Sequence, residues 1–295
     1  MISIVLAVLG VFTAAFAVVF GKDVYANKNN LEQETSLAKT SIIGLIVNFF
    51  DTLGIGSFAP TTALLRFFKQ VEDRIIPGTL NVSCTIPVVL EAFLFMTVIE
   101  VEIITLISML AAAVIGATLG AGYVAKMPEK KVQLVMGIAL LATALLFIAQ
   151  GAGWIAGLGT GDAIGLTGTK LVIAIVGNFI LGALMTAGIG LYAPCMALVY
   201  ALGMSPAVAF PIMMGSCAFL MPVASIKFVR EQAYNKKASL GITLGGIFGV
   251  LIAVYIVTSL PLDMLRWLVI AVVTYTGITL LRSALKNTPV APAEN

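Results

Sequence analysis

A chain of 295 residues with 60% hydrophobic and 11% charged side chains, and a mean hydropathy of +1.08, is too apolar for a soluble fold, which carries roughly 25% charged residues on its surface. The net charge of +3 comes from basic residues clustered at the ends of apolar runs rather than on one continuous polar face, which argues against a nucleic-acid partner. There is no histidine, and the dispersed Cys84, Cys195 and Cys217 make neither a disulfide framework nor a metal site, so no cofactor is expected.

The first apolar run, 2–20, has no basic residue before it and no small-residue cleavage site, so it reads as a retained span rather than a signal peptide. With its loop it occupies residues 1–38. Further apolar runs lie at 79–99, 103–125, 132–149, 171–187, 207–226, 238–258 and 267–281. At a rise of about 1.5 Å per residue, about 20 residues cross a hydrocarbon core of about 30 Å, so these runs predict membrane helices and are too long for barrel strands. The stretch 40–68 is too long for one simple span and contains Gly54, Gly56 and Pro60, so it predicts two helical pieces meeting at a break. A Gly- and Thr-containing linker, 151–170, precedes a second broken stretch, 171–201, and the chain ends in a tail, 285–295.

The two broken stretches repeat each other. Gly54-Ile55-Gly56-Ser57-Phe58-Ala59-Pro60 returns 134 residues later as Gly188-Ile189-Gly190-Leu191-Tyr192-Ala193-Pro194. At an offset of 133, Ser83-Cys84 returns as Ser216-Cys217, Gly116 as Gly249 and Pro128 as Pro261. A near-match in constant register predicts a duplication, with one repeat at 39–150 and the other at 171–284.

On these residues the sequence resembles the TauE/SafE family of sulfite and organosulfonate exporters, also called the toluene-sulfonate uptake permease family, over about 40–284. The family pattern often has a third adjacent glycine, where this chain has Ser57 and Leu191. That departure bears on the substrate more than on the family. The resemblance implies a secondary transporter in a bacterial cytoplasmic membrane that exports sulfite or a small organosulfonate such as sulfoacetate. Its partners would be a small sulfur-containing anion, protons and the lipid bilayer.

Charge arbitrates the topology, because cytoplasmic loops are enriched in Lys and Arg. If both broken stretches are re-entrant and the other seven runs cross, one side receives the basic clusters at 22–39, 66–74, 126–131, 227–237 and 282–286, and the other only Lys170 and Arg266. The count is 15 against 2. If the broken stretches cross fully, this bias is largely lost. The re-entrant arrangement also inverts the second repeat relative to the first. The expected fold is therefore an all-α polytopic membrane protein with two inverted repeats, broken re-entrant helices and one N-terminal span. The N-terminus is expected outside and the C-terminus inside.

Such hairpins would bring their breaks together inside the bundle, where irregular backbone must line a cavity or be buried in protein. Ser57 is expected to cap the second piece of the first break, with Pro60 in its first turn. Amides around Phe58, Ala59, Tyr192 and Ala193, with Gly54, Gly56, Gly188 and Gly190 beside them, would suit an anion. The alternative is that these glycines only let helices approach. Asp51, inside an apolar segment, and Glu91, midway along 79–99, are the intramembrane acids and the expected coupling residues. For Glu91 a plain interhelical hydrogen bond is an equal alternative. Among small polar residues, Asn81, Ser83, Ser216 and Cys217 rank as solute contacts, ahead of Asn48, Thr52, Thr61 and Thr186. Lys227 ends an apolar run and is expected to snorkel. No nucleotide loop or catalytic motif is present, which points away from a primary pump and from an enzyme. An anion channel, or an uptake permease for another small organic anion, is the alternative function. An intramembrane enzyme using Asp51 and Glu91 ranks below it.

Overall fold

A computed structural model describes residues 2–124, 129–151, 162–185 and 190–285. Its regular elements are helices: α1 (Ile2–Ala26), α2 (Leu37–Thr52), α3 (Phe58–Phe67), α4 (Ile76–Val98), α5 (Ile103–Val124), α6 (Glu129–Gly151), α7 (Gly168–Met185), α8 (Tyr192–Ala201), α9 (Ala209–Arg230), α10 (Lys236–Ser259) and α11 (Leu262–Leu285). Short 3-10 turns at Asp73–Ile75 and Pro206–Val208 lead into α4 and α9. Among the described residues, six helical segments are long and apolar enough to cross a membrane. Large apolar side chains such as Val11, Leu119, Phe248 and Tyr255 remain exposed on the outside of the bundle, the surface that lipid covers.

Close helix contacts fix the direction of each element. Gly241 packs on Thr40 and Gly249 on Leu45 and Phe49, so α2 runs parallel to α10. Thr243 donates to the Ser83 carbonyl and Gly246 abuts Pro87, so α4 is parallel to α10 as well. Two successive elements, α2 and α4, therefore start at the same end of the bundle, here called end A, and α3 must return the chain to it. The mouth of this hairpin is closed by hydrogen bonds across α2 and α3: Thr35 Oγ1 donates to the Gln70 carbonyl at 2.8 Å, and the Ser36 N–H to Gln70 Oε1 at 2.7 Å. The second hairpin is built alike at the opposite end, end B. Lys170 Nζ donates to the Leu202 carbonyl at 3.0 Å, and the Ser205 N–H to the Ala163 carbonyl at 2.9 Å. Both broken stretches are thus re-entrant, and they enter from opposite ends.

The remaining directions agree. Helix α9 runs against α4, as the Thr85–Ser225 and Phe95–Phe210 contacts show, and α1 runs with α9. Gly137 meets Leu281 and Gly277 meets Leu141, so α6 and α11 are antiparallel. Among the described residues, seven helices run from one end of the bundle to the other, α1, α4, α5, α6, α9, α10 and α11, whereas α7, one of the six long apolar segments, is the entering arm of the second hairpin. The order of arm, return and three spans occurs twice, as α2–α6 and α7–α11, with the second copy inverted.

The repeat matches have a packing cause. A β-carbon on Gly249 would strike the Leu45 carbonyl, and one on Gly116 would strike the Phe179 carbonyl. Leu45 and Phe179 are themselves 134 residues apart, so the two contacts are the same contact made twice. The equivalent helices α10 and α5 also both start from a polar anchor. Asn235 Oδ1 accepts from the Ala238 N–H at the start of α10, and Glu102, 133 residues earlier, accepts from the Thr105 and Ile104 N–H groups at the start of α5. Hydrogen bonds from Thr105, first from its side chain, hold the Glu102 carboxyl below its usual range.

End A carries Lys22, Lys28, Lys39, Arg66, Lys69, Arg74, Lys130, Lys131, Lys227, Arg230, Lys236, Lys237 and Arg282, whereas Lys170 and Arg266 belong to end B. Lys126 and Lys286 lie outside the described residues. Lys227 is exposed and within 3.9 Å of Glu231 one turn on, at the interface position expected of it.

Candidate functional site

The two breaks meet on one cavity of about 330 Å³. From the first hairpin it is lined by Asp51, Ile55, Gly56, Ser57, Phe58 and Pro60, and from the second by Met185, Gly190, Leu191, Tyr192 and Ala193. Val88 of α4 and Cys217 and Met221 of α9 complete the deep wall. Toward end A the lining continues along Gln133 of α6 and Tyr275, Thr276, Thr279, Leu280 and Ser283 of α11. The α11 residues span two helical turns, roughly 12 Å along the axis.

Backbone chemistry explains why the chain turns at the first break. Gly54 and Gly56 have φ of +94° and +90°, a region that L side chains rarely enter. A β-carbon on Gly54 would lie 2.6 Å from the Met196 sulfur, so Gly54 is packed behind the cavity rather than lining it. Around the missing β-carbons of Gly56 and Gly190 there is open space.

Ser57 departs from expectation. It takes the N-cap position of α3 in a helical conformation and makes no side-chain cap; its hydroxyl instead donates to Asp51 Oδ2 at 3.0 Å. With the hydroxyl turned toward the buried Asp51 carboxyl, its oxygen accepts nothing from the helix amides. The first turn of α3 therefore keeps its free donors. In both α3 and α8 a proline at the third position removes one of them, and the amides of Phe58 and Ala59, and of Tyr192 and Ala193, lack acceptors inside their helices.

Glu91 is fully buried and stands one layer behind the cavity. Thr52 Oγ1, at the end of α2, lies 2.7 Å from its Oε1, and the Tyr192 hydroxyl, at the start of α8, donates to its Oε2 at 3.2 Å. One carboxyl group thus touches both hairpins.

Other residues singled out in the sequence are placed elsewhere. Asn81 donates to the Pro77 carbonyl near end A, and Ser83 bonds back to the Leu80 carbonyl. Ser216 donates to the Ile212 carbonyl and accepts from Asn178, in the contact between α7 and α9. These hydroxyls and amides satisfy backbone within their own helices, as is usual for such residues in apolar surroundings, and none lines the cavity. Asn48 and Thr61 do the same. Cys217 does line it, with its thiol 3.6 Å from the Met185 sulfur. Gly188 and Thr186 lie outside the described residues.

The end-A wall was missed in the sequence. Tyr275, Thr276, Thr279 and Ser283 form a polar stripe at helical spacing within an apolar span, a signal open to a reader who had followed the periodicity of the last run. Gln133 sits in a helix whose register against the breaks no local pattern reveals.

Searches of curated proteins and of solved structures returned no match. The family model described as Sulfite exporter TauE/SafE matches residues 1–147, which are α1 and nearly all of the first repeat. The internal repeat carries the same hairpin and spans into the second half of the chain. The matched residues include the first Gly-rich break, on which the resemblance was read, and over them the chain matches the sulfite exporter TauE/SafE family.

Proposed function

We propose that this protein is a secondary transporter that exports sulfite or a small organosulfonate such as sulfoacetate by proton-coupled alternating access, holding the anion between its two breaks. One observation carries this reading: the first turns of α3 and α8, from hairpins entering at opposite ends, line the same cavity. Each first turn presents free amides and the positive end of a helix dipole, which stabilise a negative group without a buried arginine. Between inverted repeats, such a site can be exposed to one end or the other by moving one repeat against its twin.

The basic bias of end A supports an arrangement with that end in the cytoplasm, the N-terminus outside and the C-terminus inside a bacterial inner membrane. The cavity runs toward end A, so the conformation is the one in which an exporter loads its solute. Asp51, in the cavity wall, and Glu91, behind it, are the coupling acids.

The test is competition binding to purified protein with sulfite, sulfoacetate, a carboxylate of similar size and a neutral analogue. Anions are expected to compete and the neutral analogue to fail, and equal competition by the neutral analogue would sink the anion site. Orientation is checked in intact cells lacking native cysteines. Single cysteines at Glu72 and Glu231 are expected to be shielded from an impermeant external thiol reagent, whereas one at Glu100 is labelled.

A further inference from the structure

The hydrogen-bond geometry around Glu91 has room for one more proton than the side chains of Thr52 and Tyr192 supply. Thr52 Oγ1 lies 2.7 Å from Glu91 Oε1 and also 2.8 Å from the Asn48 carbonyl oxygen. A hydroxyl carries one proton and can accept as well, whereas a carbonyl oxygen can only accept. With Thr52 donating to Asn48, the usual back-bond of a helical threonine, the contact to Oε1 is completed by a proton that Oε1 itself donates. Oε2 is then free to accept from the Tyr192 hydroxyl, which reaches it at 3.2 Å. All three contacts are satisfied at once when Glu91 is a neutral carboxylic acid. A carboxylate would leave Thr52 to choose between Asn48 and Glu91.

The ionisable groups acting on this site from the packed elements are Asp51 on α2, Tyr192 on α8, Cys217 on α9 and Cys84 on α4 itself. All of them are acids, so none offers a positive charge to balance a carboxylate. The tie also joins parts that the transport cycle must move. Thr52 ends the first arm of one hairpin and Tyr192 begins the return of the other. The counterpart of Glu91 on α9, at an offset of 133, is Ala224, so the tie is made once and not twice.

We propose that Glu91 is the site of the transported proton, and that this proton ties the two hairpins together in the conformation open to end A. The proposal rests on the transporter reading and names the atom at which coupling occurs. Loss of the proton from Oε1 to water removes one of the three bonds and loosens α2 from α8, and rebinding restores the tie. Asp51, bonded to Ser57 in the cavity wall, is a separate acid that does not join the hairpins.

Glu91→Gln tests this, because its amide donates to Thr52 and its carbonyl accepts from Tyr192, keeping the tie without a removable proton. Infrared spectra of the purified protein are expected to show the carbonyl band of a protonated carboxyl that disappears in Glu91→Gln and survives in Asp51→Asn. In Tyr192→Phe the band is expected to persist and shift, since the carbonyl loses its donor. In liposomes, Glu91→Gln is expected to lose about tenfold or more of proton-gradient-driven transport while solute exchange without a gradient continues. A band that survives Glu91→Gln, a band unmoved in Tyr192→Phe, or undiminished gradient-driven transport would each overturn the proposal. Should the native protein move no sulfite or sulfonate, the transporter reading fails, and the infrared comparison still decides whether Glu91 holds a proton.

Discussion

In the first hairpin the chain turns through Gly54 and Gly56 at φ of +94° and +90°, and Asp51 accepts a hydrogen bond from Ser57 across the turn. At the matching positions of the second hairpin stand Met185 for Asp51 and Leu191 for Ser57. Further down the arms the residues trade places. The first has Gly44 against the Ile242 backbone and Asn48 beside Gly246; the second has Asn178 donating to the Met109 carbonyl and Gly182 against the Ala113 backbone. Close backbone approach is kept in both copies, because α2 on α10 and α7 on α5 must pack equally tightly for the pseudo-symmetry to persist. The buried carboxyls Asp51 and Glu91 have no acidic counterpart in the second, where Met185 and Ala224 stand. On the function proposed above, such a transporter would alternate through its symmetric packing, with both coupling acids, Asp51 and Glu91, in the first repeat.

The largest effects are expected where the two copies are equivalent. Gly116→Ala and Gly249→Ala each drive a β-carbon into the carbonyl of a neighbouring arm, and backbone cannot yield as a flexible side chain can. Each is expected to lose about 1–3 kcal/mol or more of stability, read as a fall in the thermal midpoint in detergent. A large loss in one variant with none in the other would break the equivalence of the repeats.

Next in size are the effects at the breaks, and here the copies are expected to differ. Gly56→Ala forces an L side chain to φ +90° and is expected to cost roughly 1–2 kcal/mol, whereas Gly190→Ala meets open space and is expected to lower the thermal midpoint less. Valine at either position places branched carbons in the cavity, so both Val variants are expected to lose solute binding, with Gly190→Val the better folded. Binding by a well-folded Gly190→Val protein at native strength would remove the second break from the site.

Much of this was legible in the sequence because its causes are local or repeat at fixed spacing. Hydrophobic runs gave the spans, the paired Gly-rich breaks gave the hairpins, and the Lys and Arg clusters gave the end at which each hairpin opens. Gly116 and Gly249 stood out as a pair before their contacts with Phe179 and Leu45 were known. What stayed hidden depends on rotation about helix axes. Asn81, Ser83 and Ser216 sit in the right helices, yet their side chains bond back to their own backbones. The α6 and α11 wall of the cavity comes from helices far along the chain from the first break, brought there by packing that no local pattern encodes. Glu91 was visible as an intramembrane acid, but its two partners, 39 residues before it and 101 after, were not.

The smallest expected effect concerns Ser57, whose hydroxyl is replaced in the second break by the apolar side chain of Leu191. That hydroxyl has a single proton, and it is given to Asp51 at 3.0 Å rather than to the cavity. Ser57→Ala therefore removes a bond that positions Asp51 and leaves the amides of Phe58 and Ala59 untouched. A typical hydrogen bond contributes a net of about 1 kcal/mol, so solute affinity is expected to fall by about fivefold or less, and Ser57→Thr is expected to restore it. Leu191→Ser adds the hydroxyl to the second break, where Met185 offers no carboxylate to receive it, and no gain in affinity is expected there. If Ser57→Ala instead abolished binding, the hydroxyl would have to leave Asp51 and grip the solute directly. The first break would then recognise its anion through a side chain that the second break lacks, and the two hairpins would differ in recognition as well as in coupling.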